Sequence, residues 1–409
     1  MRAKSLIVPS LALLAAPAIV HSAAYANTLT GLIPSLYAGV DVVSRELVGF
    51  IPSVFRNTEA ERAAVGQSVV YPITPAQSSF SLAPAMVIPE PSDETVGTGT
   101  ITISKAKGVA FGWVGEEQRG LNTGPGYQNI ARDNFAQAIR TLCNEIEADL
   151  AATAAAGASR AWGTSGTTPF ASDLSDPANI RKILDDNGAP PGGRSLIINT
   201  TAGAKLRTLA QLTKANESGT LMTLRDGTLL DIHGMMIKES AAVVSFTKGT
   251  NNGSASTDNA GYAVGATTFT LASAGTGTLK AGDVITFAGD TNQYVVTSGD
   301  TDVSNGGTFK IAAPGLRVAI AASNTVITTT NSYAANVAFS QNAVHLVARL
   351  PALPQEGDAA IDSMLITDPR SGLTFEIRVY AGYRKIRAEV GLAWGFAATK
   401  AEHIALLKG

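Results

Sequence analysis

Residues 127–156 read YQNIARDNFAQAIRTLCNEIEADLAATAAA, and this stretch decides the fold. Phe135, Ile139, Leu142, Ile146 and Leu150 recur at steps of four, three, four and four, the period of one apolar helix face. Glu145, Glu147 and Asp149 are read as its other faces, and Gly157 ends it. About 30 residues at about 1.5 Å each give roughly 45 Å, long for a globular helix, so the segment is read as a spine.

Upstream of the spine the chain is extended. Pro72, Pro75, Pro84, Pro89 and Pro91 forbid a helix between Val69 and Val114. Thr100-Ile-Thr-Ile-Ser104 alternates as a half-buried strand does. The stretch 69–114 is expected to be a two-stranded projecting loop, which is marginal alone and needs a partner surface. Before it, Leu36, Val40, Val43 and Leu47 predict an amphipathic helix between Pro34 and Gly49 with extended flanks, an arm that packs on something else.

Downstream, Asp176-Pro177 opens a helix through Leu184 that Asn187-Gly188 stops. Ser195–Thr200 reads as a buried strand and Ala202–Leu212 as a helix, so a mixed sheet carries helices. From Gly249 to Tyr333 helix formers nearly vanish. Thr267–Leu271, Val284–Ala288, Tyr294–Thr297, Thr308–Ala312 and Asn324–Thr329 are short strands between Gly, Asp and Ser turns, expected to form an inserted barrel or sandwich. Met364–Thr367 and Leu373–Tyr380 flank a turn at residues 368–372. Ile386–Trp394 is a further strand and Lys400–Leu407 a short closing helix.

The 409 residues include 31 Lys plus Arg and 33 Asp plus Glu, a net charge of −2. Charged residues are 16% of the chain, against about 25% in ordinary proteins, and there are 40 glycines. That balance excludes a basic nucleic-acid reader. The lone Cys143 cannot form an internal disulfide and reads as a small buried residue. Arg2 and Lys4 precede an apolar run from Leu6 to Val20, and Ala24-Tyr25-Ala26 suits a cleavage site, which is a secretory signal pattern. The run is too short, and too broken by Pro9 and Pro17, to span a membrane.

Reactive chemistry is sparse. No G-x-x-x-x-G-K-[ST] occurs, and the glycines of residues 163–168 lack the lysine, so they read as a plain loop. His21, His233, His345 and His403 show no metal-ligand spacing. Spacing leaves a Ser-His-Asp triad open, but no G-x-S-x-G elbow supports one. Asp185-Asp-Asn-Gly188 lacks the remaining ligands of a calcium loop and reads as a helix-ending turn. Glu116, Glu117 and Arg119 read as a solvated or intersubunit salt-bridge cluster rather than an acid–base pair. No cofactor is expected. An arm and a ribbon that cannot bury themselves imply a partner, most simply another copy.

Several segments carry a resemblance. They are Ala26-Asn-Thr-Leu-Thr-Gly-Leu-Ile-Pro, Val43-Ser-Arg-Glu-Leu-Val-Gly-Phe-Ile-Pro, Gly115-Glu-Glu-Gln-Arg-Gly-Leu-Asn and Arg181-Lys-Ile-Leu-Asp-Asp-Asn-Gly-Ala-Pro, then Leu279-Lys-Ala-Gly-Asp-Val-Ile-Thr-Phe-Ala-Gly-Asp-Thr-Asn, Asn336-Val-Ala-Phe, Trp394-Gly and Glu402-His-Ile-Ala-Leu-Leu. With the order arm, loop, spine and α/β domain, they resemble the Hong Kong-type capsid fold of tailed phages. More narrowly, they resemble the gene-five coat proteins of enterobacterial short-tailed phages.

The resemblance implies an α+β chain in seven parts. These are a leader or mis-assigned start (1–26), an N-terminal arm (27–68), the projecting loop (69–114), a peripheral domain with the spine (115–175), an apical α/β domain (176–239 and, with peripheral parts, 335–409) and an inserted β-barrel (240–334). It implies hexamers and pentamers in an icosahedral shell around double-stranded DNA that is not bound sequence-specifically. It also implies a scaffolding protein, a portal protein, assembly in the host cytoplasm and no membrane. Trp113, Glu116, Glu117, Arg119, Asp283 and Asp290 are the candidate intersubunit contacts. Family members begin Met-Ala-Asn-Thr, so Met1–Ala26 is expected to be absent from the assembled subunit. The competing readings are a secreted adhesive β protein, supported by the signal pattern and the Thr/Gly-rich module, and a hydrolase with an unrecognised triad.

Overall fold

The structure, a computed structural model, describes residues 48–73, 79, 84, 96–121, 126–214, 229, 231–252 and 254–409. The leader, nearly all of the arm helix and the outer part of the projecting loop lie outside the described residues. In chain order the elements are β1 (Phe55–Ala63), β2 (Ser68–Ile73), β3 (Gly97–Thr102), β4 (Lys105–Val114), α1 (Gly115–Leu121) and α2 (Gly126–Ala156). Next come β5 (Arg160–Trp162), α3 (Ser175–Asp186), β6 (Arg194–Ile198), α4 (Thr200–Arg207), α5 (Ala210–Thr213) and β7 (Met236–Glu239). Six short strands follow: β8 (Ser245–Phe246), β9 (Thr268–Leu271), β10 (Val284–Phe287), β11 (Gln293–Ser298), β12 (Gly307–Ile311) and β13 (Ile327–Thr329). The chain closes with β14 (Tyr333–Ser340), β15 (Val344–Pro351), β16 (Ala360–Thr367), β17 (Thr374–Gly382), β18 (Lys385–Ala398) and β19 (Ile404–Lys408).

The spine α2 is one 31-residue helix, as its periodicity predicts. Leu142, Ile146 and Leu150 are buried, with Ala138, Ala151 and Ala154 letting neighbours approach closely. They meet Val390, Leu392 and Trp394 of β18 in the largest core. Each buried Leu or Ile contributes about 1.5–3 kcal/mol. A polar seam fixes the helix against the sheet. Lys105 Nζ donates to Glu145 at 3.1 Å and Asp149 at 2.8 Å, Lys107 reaches Glu145, and Trp394 Nε1 donates to Asp149 at 3.0 Å.

The sheet beneath the spine is organised on β18. β17 and β4 flank its first half, and β15 flanks its second half. β1 lies parallel beside β15, and β16 forms the other edge. The expected loop is thereby shortened. β2 and β3 do form an isolated antiparallel ribbon, from Ser68↔Thr102 to Ile73↔Gly97. β4, however, pairs with β18 over ten residues. Its Val109, Phe111 and Trp113 alternate, and Phe111 packs edge-on against Phe135 of the spine, so this strand has a face to bury at home.

The second sheet runs β13-β10-β11-β5-β19-β14-β6-β7. The short strands fall where the turn spacing predicts and surround their own core of Phe269, Ile285, Phe287, Val296, Phe309 and Ile327. They are continuous with the rest of the sheet, because Gln293 and Tyr294 of β11 pair with Ala161 and Arg160 of β5. The expected closing helix over Lys400–Leu407 is not formed. A short 3₁₀ turn (Ala401–His403) leads into β19, which lies between β5 and β14. Ile404 and Leu406 fill the spine-side core while Ala405 and Leu407 fill the core under α3. Both faces are covered, as in a central strand.

Glu147 departs from the expected polar face. It is 2% exposed, and its carboxylate accepts from the backbone N–H groups of Gly49 (2.5 Å), Phe50 (2.7 Å) and Ile51 (3.0 Å) and from Ser240 Oγ (2.8 Å). Orphaning buried donors costs about 1–3 kcal/mol each. Glu147→Leu is therefore expected to lower the unfolding free energy by at least about 3 kcal/mol in urea denaturation, and to expose the Gly49–Ile51 amides to hydrogen exchange. A variant as stable as the parent would refute this anchoring role.

Candidate intersubunit surfaces

The ribbon β2–β3 is anchored at its base and bare beyond it. Ile101 and Ile103 pack with Ala63, Val347 and Ala393 of the main sheet. Tyr71 lies against the His345 ring at 5.6 Å, and His345 lies against Phe55 at 4.8 Å. Burial lowers the His345 pKa, which favours the neutral ring between two aromatics. Further out Val70 is 59% exposed, and Ile73 and Val96 are exposed as well. Among the described residues, nothing covers these apolar side chains of the two-stranded ribbon.

Four of the six sequence candidates converge at the β4–α1 junction. Glu116 and Arg119 are exposed there, and Glu117 accepts from Val114 N at 3.1 Å, capping the helix start. Arg384 of the β17–β18 turn reaches Glu116 at 3.8 Å. Both are largely exposed, so that pair contributes little stability. Trp113 is different. It is buried, edge-on against Phe111 of its own strand.

The other two candidates lie apart, at the turns before and after β10. Asp283 has no exposed surface and accepts from Gly249 N at 2.9 Å and Lys280 N at 2.6 Å. Burial raises its carboxyl pKa against the pull of those amides. It closes its own turn. Asp290 is half-buried and accepts from Asn292 N and Tyr294 Oη.

The edge strand β16 was not singled out by sequence. Ile361, Met364 and Leu365 are exposed on it, and Tyr383 at the neighbouring β17–β18 turn is 91% exposed. The signal was present: apolar residues at both odd and even positions of residues 360–366 leave no purely polar face. An unpaired edge of this kind is a template for another chain unless something covers it.

Among the described residues no cluster of His, Cys, Asp and Glu is arranged to hold a metal. No helix among them is long and apolar enough to cross a membrane. Cys143 is buried, as expected. His345 and His403 both have pKa values lowered by burial, and His21 lies outside the described residues.

No protein-family model matches the chain, and no curated protein matches it. Solved structures do. The capsid structure of the cyanophage P-SCSP1u superposes with a TM-score of 0.50 at 12% identity, covering 94% of this chain and 93% of that chain. A chain from Mycobacterium phage Che8 gives 0.44 at 14% identity, covering 89% and 92%. A virus-like particle from Pyrococcus furiosus gives 0.39 at 12% identity, covering 88% and 91%. Together with the spine, the two sheets and the ribbon, the cyanophage match shows the fold: the chain has the Hong Kong-type capsid fold, of class α+β.

One charge cluster ties the β1 edge of the main sheet to β17 and to the loop before β16. Arg62 of β1 donates to Glu376 of β17 at 2.6 Å, and Arg378 bonds both Glu376 and Asp358. Burial alone would raise the Glu376 carboxyl, but the two guanidiniums outweigh it and hold it below its ordinary 4.5. A depressed carboxylate stabilises the fold above its unfolded pKa, and that contribution is lost as pH falls through the folded one. The urea midpoint is therefore expected to drop below pH about 4.5 by more in the parent than in Glu376→Gln. Parallel pH profiles would exclude the cluster as the cause.

Proposed function

We propose that this chain is the major coat subunit of a tailed-phage particle, related to the gene-five coat proteins of short-tailed phages. The observation that carries the reading is the anchored ribbon with bare apolar residues beyond its base, set in a capsid-type fold. Such a ribbon gains its missing contacts from sister copies. Hexamers and pentamers then close an icosahedral shell, in which many weak contacts act together.

The near-neutral charge suits a container for double-stranded DNA that is enclosed without being gripped. A scaffolding protein would guide the precursor shell in the host cytoplasm and a portal protein would occupy one vertex. On the same reading, Glu116, Glu117, Arg119 and Asp290 remain candidate contacts, and segment 240–334 braces its own subunit and meets neighbours. The role is structural and non-catalytic.

The test is electron microscopy and sedimentation of the protein expressed alone and together with a scaffolding protein. Closed particles are expected from the parent. Val70→Asp combined with Ile73→Asp is expected to leave thermal unfolding unchanged, since both side chains are exposed, and to abolish particles. A parent that stays monomeric under every assembly condition, or a double variant that assembles normally, would overturn the proposal.

A further inference from the structure

The chain contains three Asn-Gly pairs, beginning at Asn187, Asn252 and Asn305. Gly253 lies outside the described residues, and the other two pairs sit in opposite environments. An asparagine followed by glycine is open to attack on its side chain by the next backbone nitrogen, because glycine puts no Cβ in the way. The structure permits that attack only where the glycine N–H is free, the side-chain amide is loosely held and the turn can open.

At Asn187 the structure denies the first two and restrains the third. Gly188 N donates to Asp185 O at 3.0 Å. Asn187 is half-buried; its Nδ2 donates to Ser159 Oγ at 3.1 Å and Glu402 O at 2.8 Å, and its Oδ1 accepts from Arg160 at 3.2 Å. Asn305 is exposed, at the end of a single 3₁₀ turn (Val303–Asn305) closed by one backbone bond, Asn305 N to Asp302 O at 3.2 Å. Its Nδ2 makes one exposed bond, to Asp302 Oδ2 at 2.9 Å. Gly306 holds a φ of 75°, and among the described residues its N–H donates to nothing.

We propose that Asn305-Gly306 is a self-modification site, at which Asn305 converts with time to aspartate and isoaspartate and so loosens the start of β12. Gly306 N, losing its proton, attacks Asn305 Cγ. The N–Cγ bond forms, the Cγ–Nδ2 bond breaks, and ammonia leaves with that proton. Water then opens the cyclic imide. Cleavage at Cγ leaves aspartate, and cleavage at the main-chain carbonyl leaves isoaspartate, whose backbone runs through Cβ and Cγ. Nothing is oxidised or reduced, and water is the only co-reactant.

The consequence follows from the neighbours. Either product puts a carboxylate where Nδ2 now meets Asp302, close to Asp300, whose Oδ1 accepts from Asp302 N at 2.8 Å. An attraction becomes a repulsion between like charges. The longer isoaspartyl backbone also has no slack to enter. Gly307 pairs with Leu271 of β9, and a Cβ on Gly307 would collide with Asp300 Oδ2. The inference does not rest on the coat-protein reading.

The experiment incubates the parent chain at mildly alkaline pH in heavy-oxygen water, folded and in urea, and follows its peptides by mass spectrometry. In urea both pairs are expected to convert at similar rates, since the chemistry is the same. In the folded chain Asn305 is expected to convert and take up label, while Asn187 lags by at least about tenfold because several hydrogen bonds must open first. Asn305→Gln is expected to abolish the labelled product at that position. Asn305→Asp carries the new charge from the outset and is expected to speed hydrogen exchange across β12 severalfold. A folded parent whose Asn305 survives as long as its Asn187 would overturn the site. Unchanged β12 exchange, both in Asn305→Asp and in the converted parent, would overturn the loosening. Conversion is read in the parent, so the test does not depend on a variant folding.

Discussion

One buried carboxylate fixes how the chain enters its own body. Glu147 sits mid-spine with three consecutive backbone N–H groups and a serine hydroxyl pointing at it. The geometry resembles a helix N-terminus capturing an anion, with the roles divided between a turn at residues 49–51 and a side chain of the helix it docks on. The constraint propagates. Phe50 stacks on Phe339 of β14, so placing the turn also places the second sheet against the spine. β1 starts four residues later and pairs with β15 from Phe55↔His345 onward, so the same anchor sets one edge of the main sheet. Ser240 brings in the end of β7, and Lys238 beside it donates to Ser53 at 2.9 Å.

From that anchor the molecule divides into covered and bare surfaces. The central strands β14 and β19 are buried almost throughout, as is β18 from Val390 to Gly395. One group of exposed apolar residues lies on the ribbon, on β16 and at the Tyr383 turn, and another, with Trp162, Met236, Val264, Val318 and Val326, lies on the second sheet and the short-stranded segment. The first group lies on the periphery of the main sheet. Interiors this well filled resist deformation, and elements with few buried contacts open first. The parts able to adjust to a neighbour are therefore those that carry the uncovered apolar surface.

The spine was legible because thirty residues of uninterrupted helical period cannot be mistaken for strand. The ribbon's existence was legible from prolines and from alternation, but its extent was not. Nothing local distinguishes β4 from β2, and only the partner strand β18, some 280 residues away in sequence, decides that β4 stays home. Ile404–Leu407 was misread for a related reason. Four apolar residues in a row fit a short helix or a strand covered on both faces, and the choice is made by β5 and β14. Glu147 and Asp283 look like surface acids in the chain and prove interior, because the amides that satisfy them come from other elements. Of the surface candidates, Glu116, Glu117 and Arg119 were found together. The exposed edge of β16 was missed because both its faces carry apolar residues and it reads as core.

The short-stranded segment is held rigidly to the rest of the chain. Its link to the body is a continuation of the sheet across β11 and β5, and that seam is reinforced at the C-terminal end of α3. Arg160 of β5 donates to Ile183 O at 3.3 Å, to Asn187 Oδ1 at 3.2 Å and to Asn292 Oδ1 at 3.1 Å. Arg317, from the segment itself, donates to Asp186 O at 2.8 Å. Two cations thus meet the carbonyls and partial negative charge that a helix end leaves unsatisfied. Asn187 completes the junction by donating to Ser159 Oγ and Glu402 O, which joins α3 to the turn before β19. Strand pairing, a helix terminus and a side-chain network all cross the same boundary. The segment therefore moves with the body, and any adjustment to a neighbouring molecule falls on the ribbon and the sheet edges.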